Sequence, residues 1–423
     1  MAAQVTQGPQ RLTPPARPAT GLQALANGAA TPAAQHDRMN NIPRPGSDAP
    51  GERVVIIGAG PAGLAAAARL GQLGVPAEIL ESGEGVASSW RQRYDRLRMN
   101  TCRWNLRLWF GRFPRRTSTF PTRDEFVRYM EFYVSKHDLK VRFGVKVDRI
   151  DRVAGGWRLA TSAGERTARD VIVATGHGRL GKLPGWTGHN GFPGRLLHSA
   201  EYRNPREFRG EDVVVVGSGC SGMEIAGDLA QGGAGKVRLA VRTPPHIVLR
   251  TSAWGPNDVL AAALQRLPTW IADPVDAFIR RKTVGDLAPY GLSLPGDGTF
   301  SAFRRDDAQP TIVDSDVVEA IKGGRIEIVA GVSSVDADGV RLDDGTMLLP
   351  DTIIAATGFR TGLQPLVGHL DVLDDEGMPR GSGGSAIAAG LYFLGYEKGV
   401  GVIGPRARRA TKDLCQQLVA ARR

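Results

Sequence analysis

Val54-Val55-Ile56-Ile57-Gly58-Ala59-Gly60-Pro61-Ala62-Gly63 is the stretch that decides how this chain folds. Four apolar residues in a row suit a strand buried on both faces of a parallel sheet. Gly58 permits a tight turn, Gly60 lets backbone approach a pyrophosphate, and Gly63 lets the next helix pack closely on the strand. Pro61 and Ala62 complete the turn, and Leu64-Ala65-Ala66-Ala67-Ala68-Arg69-Leu70 predicts the helix. Its N-terminus offers free N–H groups and the positive end of the helix dipole to a diphosphate. A second strand, Ala77-Glu78-Ile79-Leu80, ends at Glu81. A carboxylate there accepts hydrogen bonds from both hydroxyls of an unphosphorylated adenosine ribose.

The device returns at Val213-Val214-Val215-Val216-Gly217-Ser218-Gly219-Cys220-Ser221-Gly222, followed by helical Met223-Glu224-Ile225-Ala226. Here the next strand, Val237 to Val241, ends at Arg242-Thr243 instead of an acid. A guanidinium clamps a 2′-phosphate, and the missing carboxylate removes the repulsion that would reject one. NADPH is the expected nucleotide; an ordinary exposed arginine is the alternative.

Spacing alone would carry little weight. With 54 glycines in 423 residues, GxGxxG should arise by chance about once. It occurs four times. Gly176-Gly178-Gly181 follows a good strand but runs into Lys182-Leu183-Pro184-Gly185, which cannot start a helix packing back on it. Gly399-Gly401-Gly404 precedes an expected closing helix from about residue 406 to 420, whose N-terminus either faces a ligand or simply closes the fold.

Between the two good copies, Phe192-Pro193-Gly194-Arg195-Leu196-Leu197-His198-Ser199-Ala200-Glu201-Tyr202 is a complete FxGxxxHxxxY. This composition would produce it by chance about once in two thousand such sequences. From Arg53 onward the chain resembles the class B flavin-dependent monooxygenases, specifically the flavin-containing monooxygenase group. The Baeyer–Villiger relatives carry Trp where this chain has Tyr202, which favours N- or S-oxygenation, or the auxin-forming branch, over ketone insertion. The segment Ser88 to Leu97, with Trp90 and Arg91, is similar to the family's flavin-adjacent segment. Leu267-Pro268-Thr269-Trp270-Ile271, Gly285-Asp286 and Tyr290-Gly291-Leu292 are similar to the YUCCA-type branch. Asn100 falls where the flavin-containing monooxygenases have an active-site Asn, and the YUCCA branch differs there. Thr175-Gly176 and Thr357-Gly358 match the family's Ala-Thr-Gly turns.

The resemblance implies FAD on the first glycine turn with its ribose on Glu81, and NADPH on the second delivering hydride to the flavin. It implies oxygen transfer from a C4a-(hydro)peroxyflavin to a small organic molecule, with dioxygen as the other reactant. Asn100 would hold the reactive oxygen, since an amide donates without supplying a labile proton. His198 and Tyr202 would couple the two nucleotide sites; for His198 a direct proton transfer is the alternative. An NADPH oxidase or electron-transfer reductase would use the same sites. The absence of a CxxC beside the first helix argues against a disulfide reductase.

The chain divides accordingly into an α/β fold with two dinucleotide-binding (Rossmann-like) domains, the second inserted into the first. Residues 51–206 and 335–423 make the FAD domain and 207–334 the NADPH domain. Residues 255–300 read as less regular, with apolar helical patches at Val259-Leu260-Ala261-Ala262-Ala263-Leu264 and Trp270-Ile271. Residues 1–50, with 11 alanines, 8 prolines and 4 glycines, read as a disordered leader. No apolar run approaches the roughly 18 residues of a membrane span. Cys102, Cys220 and Cys415 lie too far apart for a CxxC or metal-ligand spacing, and so few suit a reducing cytoplasm. The net charge of +11 comes from 45 Arg against 9 Lys, spread along the chain without blocks. Such spreading disfavours a nucleic-acid stripe; an oligomer is compatible with the sequence.

Overall fold

The computed structural model describes residues 53–186, 188–253, 255–306, 309–383, 385–396 and 403–422. The leader and Gly399-Gly401 lie outside them. The chain opens with β1 (Val54–Ile57), α1 (Pro61–Gln72) and β2 (Ala77–Leu80), followed by α2 (Arg123–Lys136), β3 (Val141–Arg142) and β4 (Asp170–Val173). A capping box starts α2: Thr122 accepts from the Glu125 N–H, and Glu125 accepts from the Thr122 N–H. Then come β5 (Leu180–Gly181), β6 (Arg195–His198), β7 (Asp212–Val216), α3 (Cys220–Gly232), β8 (Lys236–Val241), α4 (Asn257–Leu264) and α5 (Thr269–Thr283). The chain closes with β9 (Glu327–Ala330), β10 (Thr352–Ala355), β11 (Phe359–Arg360), β12 (Leu391–Phe393) and α6 (Ile403–Ala420).

Two five-stranded sheets carry the fold, ordered β12-β4-β1-β2-β3 and β9-β8-β7-β10-β6, with every neighbouring pair parallel. The wholly apolar runs follow from their position. In β1, Val54 and Ile56 join one core while Val55 and Ile57 join another on the opposite face. In β7, Val213 and Val215 are likewise separated from Val214 and Val216. No face of either central strand meets water, and each such side chain contributes about 1.5–3 kcal/mol by burial. Helix α6 closes the first core through Leu414, Cys415 and Leu418, beginning slightly before the expected residue 406.

Two parts of the fold depart from the sequence expectation. The second sheet takes β6 from before residue 207 and β10 from beyond residue 334, so strand pairing draws this unit wider than 207–334. Residues 255–300 are also more regular than expected, the two apolar patches lying within the full helices α4 and α5. Pro268 caps α5, and Pro274 sits inside it, six residues in. Between the sheets the chain crosses twice, and β5 pairs antiparallel with β11 where it does. This ribbon is where the Gly176-Gly178-Gly181 copy lies, and among the described residues no α-helix follows it before β6.

Candidate functional site

The two glycine turns have nearly the same geometry. Gly58 and Gly217 sit at φ +108° and +112°, where a side chain is strained. A Cβ on Gly63 or Gly222 would overlap the carbonyl oxygen of Gly58 or Gly217. These four glycines are demanded by the fold itself. Gly60 and Gly219 are not. They are the N-caps of α1 and α3, with φ −83° and −73°, and a Cβ on either would meet nothing within 4 Å. Both helices begin without a side-chain cap and without an acid in the first turn, although helix N-termini need partners for their first N–H groups. Open space, an ordinary backbone and uncapped N–H groups together fit a diphosphate lying against each helix end. Gly60→Ala should therefore leave the apoprotein's stability within about 0.5 kcal/mol while weakening FAD binding by at least about tenfold. Thermal unfolding and flavin titration of the apoprotein would measure the two effects.

Around the first turn, Pro61 opens α1 and Ala62 packs against Gly395. Glu81 is buried, its Oε2 accepting from the Ala59 N–H and its Oε1 from the Gly83 N–H, both at 2.8 Å. It ties the end of β2 to the glycine turn; Oε1 also accepts from the Ser82 hydroxyl at 3.4 Å, and Oε2 keeps lone-pair capacity for a ribose hydroxyl. Trp90 packs edge-on against Phe126, centroids 4.9 Å apart. Arg91 donates to the Val86 carbonyl and pairs with Glu131 at 2.6 Å, so its guanidinium already has protein partners. At the second turn, the Ser218 hydroxyl donates to the Thr243 carbonyl at 3.2 Å, holding the end of β8 beside the glycines. Arg242 and Thr243 are exposed, and Arg242 forms no ion pair among the described residues.

The double crossing between the sheets is pinned by the motif residues. His198, 4% exposed, has both ring nitrogens engaged: Nδ1 accepts from the Ala200 N–H at 3.1 Å, which leaves Nε2–H to donate to the Gly358 carbonyl at 2.9 Å. Its ring stands edge-on to Phe359 in β11, centroids 4.9 Å apart. Burial lowers its pKa. This histidine is arranged as a neutral strut under the crossing. Gly176 and Gly358 turn the two crossings at φ +81° and +87°. The Thr175 hydroxyl meets the Tyr396 hydroxyl at 2.7 Å, and Thr357 donates to the Lys182 carbonyl. Tyr202 is 1% exposed and donates to Asp228 on α3 at 2.8 Å.

Asn100 lies where the segment after Trp90 meets α3. Its surroundings leave almost no trace in the sequence. Arg250, 2% exposed, donates from Nη2 to Asn100 Oδ1 at 3.1 Å and forms ion pairs with Glu224 of α3 and with Asp314. Glu224 also accepts from the Tyr94 hydroxyl at 2.5 Å, and Ser221 stands beside that hydroxyl. Burial pushes the Glu224 carboxyl up, opposed by Arg250 and Tyr94. On Arg250, burial alone would lower the pKa, but Glu224 and Asp314 outweigh it and hold the guanidinium charged. One signal is legible: Glu224 is a lone acid among Met223, Ile225 and Ala226. Arg250 leaves none.

Beside this cluster a pocket is walled by Leu249, Leu260, Leu264, Ile279 and Phe303, with Asn100, Arg250, Asp258, Asp276, Arg280 and Thr299 among its polar members. Apolar walls with a few fixed polar groups are the usual make-up of a small-molecule site.

Residues 55–254 match a family described as pyridine nucleotide-disulphide oxidoreductase. The chain is 35% identical over 372 residues to indole-3-pyruvate monooxygenase YUCCA1 of Oryza sativa subsp. japonica, covering 86% of this chain and 91% of that protein. It is 32% identical over 361 residues to the probable indole-3-pyruvate monooxygenase YUCCA3 of Arabidopsis thaliana, covering 81% and 82%. Among solved structures it is similar to a flavin-containing monooxygenase from Stenotrophomonas maltophilia (TM-score 0.65, 22% identity, 87% of this chain and 99% of that one). It is also similar to OTEMO in complex with FAD and NADP (TM-score 0.66, 19% identity, 88% and 86%).

Proposed function

Because the chain belongs to the YUCCA group of flavin monooxygenases and is an NADPH-dependent FAD monooxygenase, we propose that it oxygenates a small, largely apolar organic molecule in the pocket beside Asn100. The hydrogen bond from Arg250 to Asn100 carries this reading. A guanidinium only donates, so it takes the amide oxygen; the Asn100 NH₂ then faces the Cys220 sulfur with one hydrogen and keeps the other for a reacting oxygen. An amide donor stabilises developing negative charge on oxygen without losing a proton to it.

Bound FAD supplies the oxygen chemistry and bound NADPH the hydride. In this reading Gly58, Gly60, Pro61, Ala62 and Gly63 cradle the flavin diphosphate and Glu81 its ribose, with Trp90, Arg91, Thr175 and Gly176 around the same nucleotide. Gly217, Gly219, Ser221 and Gly222 cradle the NADPH diphosphate, Arg242 and Thr243 take its 2′-phosphate, and Thr357 and Gly358 complete that side. His198 and Tyr202 couple the two units through Gly358 and α3, and the apolar pocket walls exclude water. The domain division belongs to the same proposal, with β6 and β10 assigned to the NADPH unit on their strand pairing.

The rice and Arabidopsis relatives are named for indole-3-pyruvate, so an aryl 2-oxo acid is the first substrate to test, with Arg280 as the cation its carboxylate would meet. No helix among the described residues is long and apolar enough to cross a membrane. A cytoplasmic setting is proposed on the three free cysteines. The test is substrate-dependent NADPH consumption across 2-oxo acids, amines, sulfides and ketones, with peroxide measured alongside. One class should raise consumption without matching peroxide; stoichiometric peroxide with every class would sink the proposal. Asn100→Ala should lower oxygenation by about 10²-fold while NADPH still reduces the flavin and more of it ends as peroxide. Unchanged coupling would remove Asn100 from its role.

A further inference from the structure

Helix α4 opens with two buried polar residues, Asn257 and Asp258, 6% and 5% exposed. Asn257 is spent on the fold: its Nδ2 donates to the Leu249 carbonyl at 2.7 Å, and its Oδ1 accepts from the Ser252 hydroxyl at 2.9 Å. Asp258 is spent only in part. Its Oδ2 accepts from the Cys102 N–H and from Asn105 Nδ2, both at 3.0 Å, which ties α4 to the segment just after Asn100. Its Oδ1 is buried without a hydrogen-bond partner among the described residues. The neighbouring Cys102 thiol, pushed up to about 12 mainly by burial and further by the charge of this carboxylate and a weak hydrogen bond donated to it, stays protonated and satisfies the carboxylate only weakly.

Nor does Asp258 form an ion pair among the described residues. Arg250, in the same pocket, is paired with Glu224 and Asp314, and Arg280 lies within electrostatic reach of Asp276. A buried carboxylate with a free oxygen and no ion pair is a group that gains by meeting a donor. The residue lines the pocket, whose wall also carries aliphatic and aromatic side chains together with a second carboxylate, Asp276, which already accepts from the Thr299 hydroxyl. A substrate with only acceptors, such as a ketone or a sulfide, would set lone pair against lone pair and leave Oδ1 unpaired.

We propose that Asp258 is the specificity-determining residue of this pocket, accepting a hydrogen bond from an N–H group on a small, largely apolar substrate. This rests on the reading of the pocket beside Asn100 as the substrate site. The donor is either a neutral ring N–H or an ammonium group, since both present N–H to a carboxylate. The two sources separate by experiment.

Four probes are titrated into the FAD- and NADP⁺-loaded enzyme, with binding read from the flavin spectrum. They are indole-3-propionate, its benzothiophene isostere, tryptamine, and the benzothiophene isostere of tryptamine. A ring N–H on Asp258 predicts that each indole binds at least about tenfold tighter than its sulfur isostere. An ammonium on Asp258 predicts that both amines bind at least about tenfold tighter than both acids. In either case Asp258→Asn, which keeps an acceptor for Cys102 and Asn105, should shrink the contrast to about twofold or less. All four probes within about twofold of one another in the unmodified enzyme, or binding by none, overturns the proposal. So does a contrast that survives in Asp258→Asn. Leu260→Trp, which fills the pocket, separates the two levels. If it leaves all four constants unchanged, the pocket is not the substrate site and both readings fall. If it weakens all four while Asp258→Asn changes none, the pocket stands and Asp258 is excluded.

Discussion

Arg250→Ala is expected to destabilise the protein by about 3–5 kcal/mol, because it leaves Glu224 and Asp314 without their cation and Glu224 is almost fully buried. The loss is dominated by the uncompensated acid, so adding Glu224→Gln to Arg250→Ala should recover part of it; simple additivity of the two changes would show that the residues do not act as a pair. The pH dependence has a definite sign. Burial already raises the Glu224 pKa with Arg250 present, and removing the cation raises it further above its unfolded value of about 4.3. A carboxyl raised in the folded state favours folding below the unfolded pKa and loses that advantage as pH rises through the folded pKa. The destabilisation by Arg250→Ala should therefore shrink as pH falls from 7 toward about 4.5. Denaturant titrations at several pH values measure this, and a pH-independent loss would place the effect elsewhere. In the molecules that still fold, Asn100 loses the donor that fixes its amide, so coupling of NADPH use to oxygenation should fall as well.

The second large effect is on nucleotide choice. Arg242→Ala should raise the Michaelis constant for NADPH by about 10- to 100-fold, the range expected for losing a hydrogen-bonded charge on a phosphate. The constant for NADH should move by about twofold or less, since NADH has no 2′-phosphate to lose contact with. The exposed position of Arg242, without an ion pair among the described residues, makes a loss of stability a poor explanation for such a change. Equal effects on the two nucleotides would remove Arg242 from the 2′-phosphate. Arg242→Lys should recover only part of the preference, because an ammonium lacks the guanidinium's forked pair of donors.

Much of the fold around the two glycine turns is legible in the amino-acid sequence alone. Val54–Ile57 and Val213–Val216 announce strands buried on both faces because a parallel sheet covered on both sides permits no polar alternation. The glycines after them announce tight strand-to-helix turns because positive φ and close helix packing admit little else. Glu81 and Arg242 follow at the ends of the second strands, where covalent connectivity alone brings them beside their turns. What these motifs share is locality: about 30 residues of chain make a β–α–β unit that needs no distant partner to be recognised.

The tertiary structure decided everything that depends on distant pairing. Two strands of the second sheet, Arg195–His198 and Thr352–Ala355, are short segments whose sheet membership is set by hydrogen bonds to neighbours far along the chain. The tautomer of His198 is fixed by Ala200 and Gly358, and a sequence carries no tautomers. The surroundings of Asn100 come from Arg250, 150 residues away, and from Glu224, which by sequence is one acid in an apolar helix. The free oxygen of Asp258 is visible only once its other oxygen is seen to be taken by Cys102 and Asn105. The sequence by itself determined the two nucleotide turns and the cofactors they suit, because local backbone chemistry specifies them. Only the folded chain decided which charged groups share the space between them, because desolvation and pairing depend on what the rest of the molecule buries beside each group.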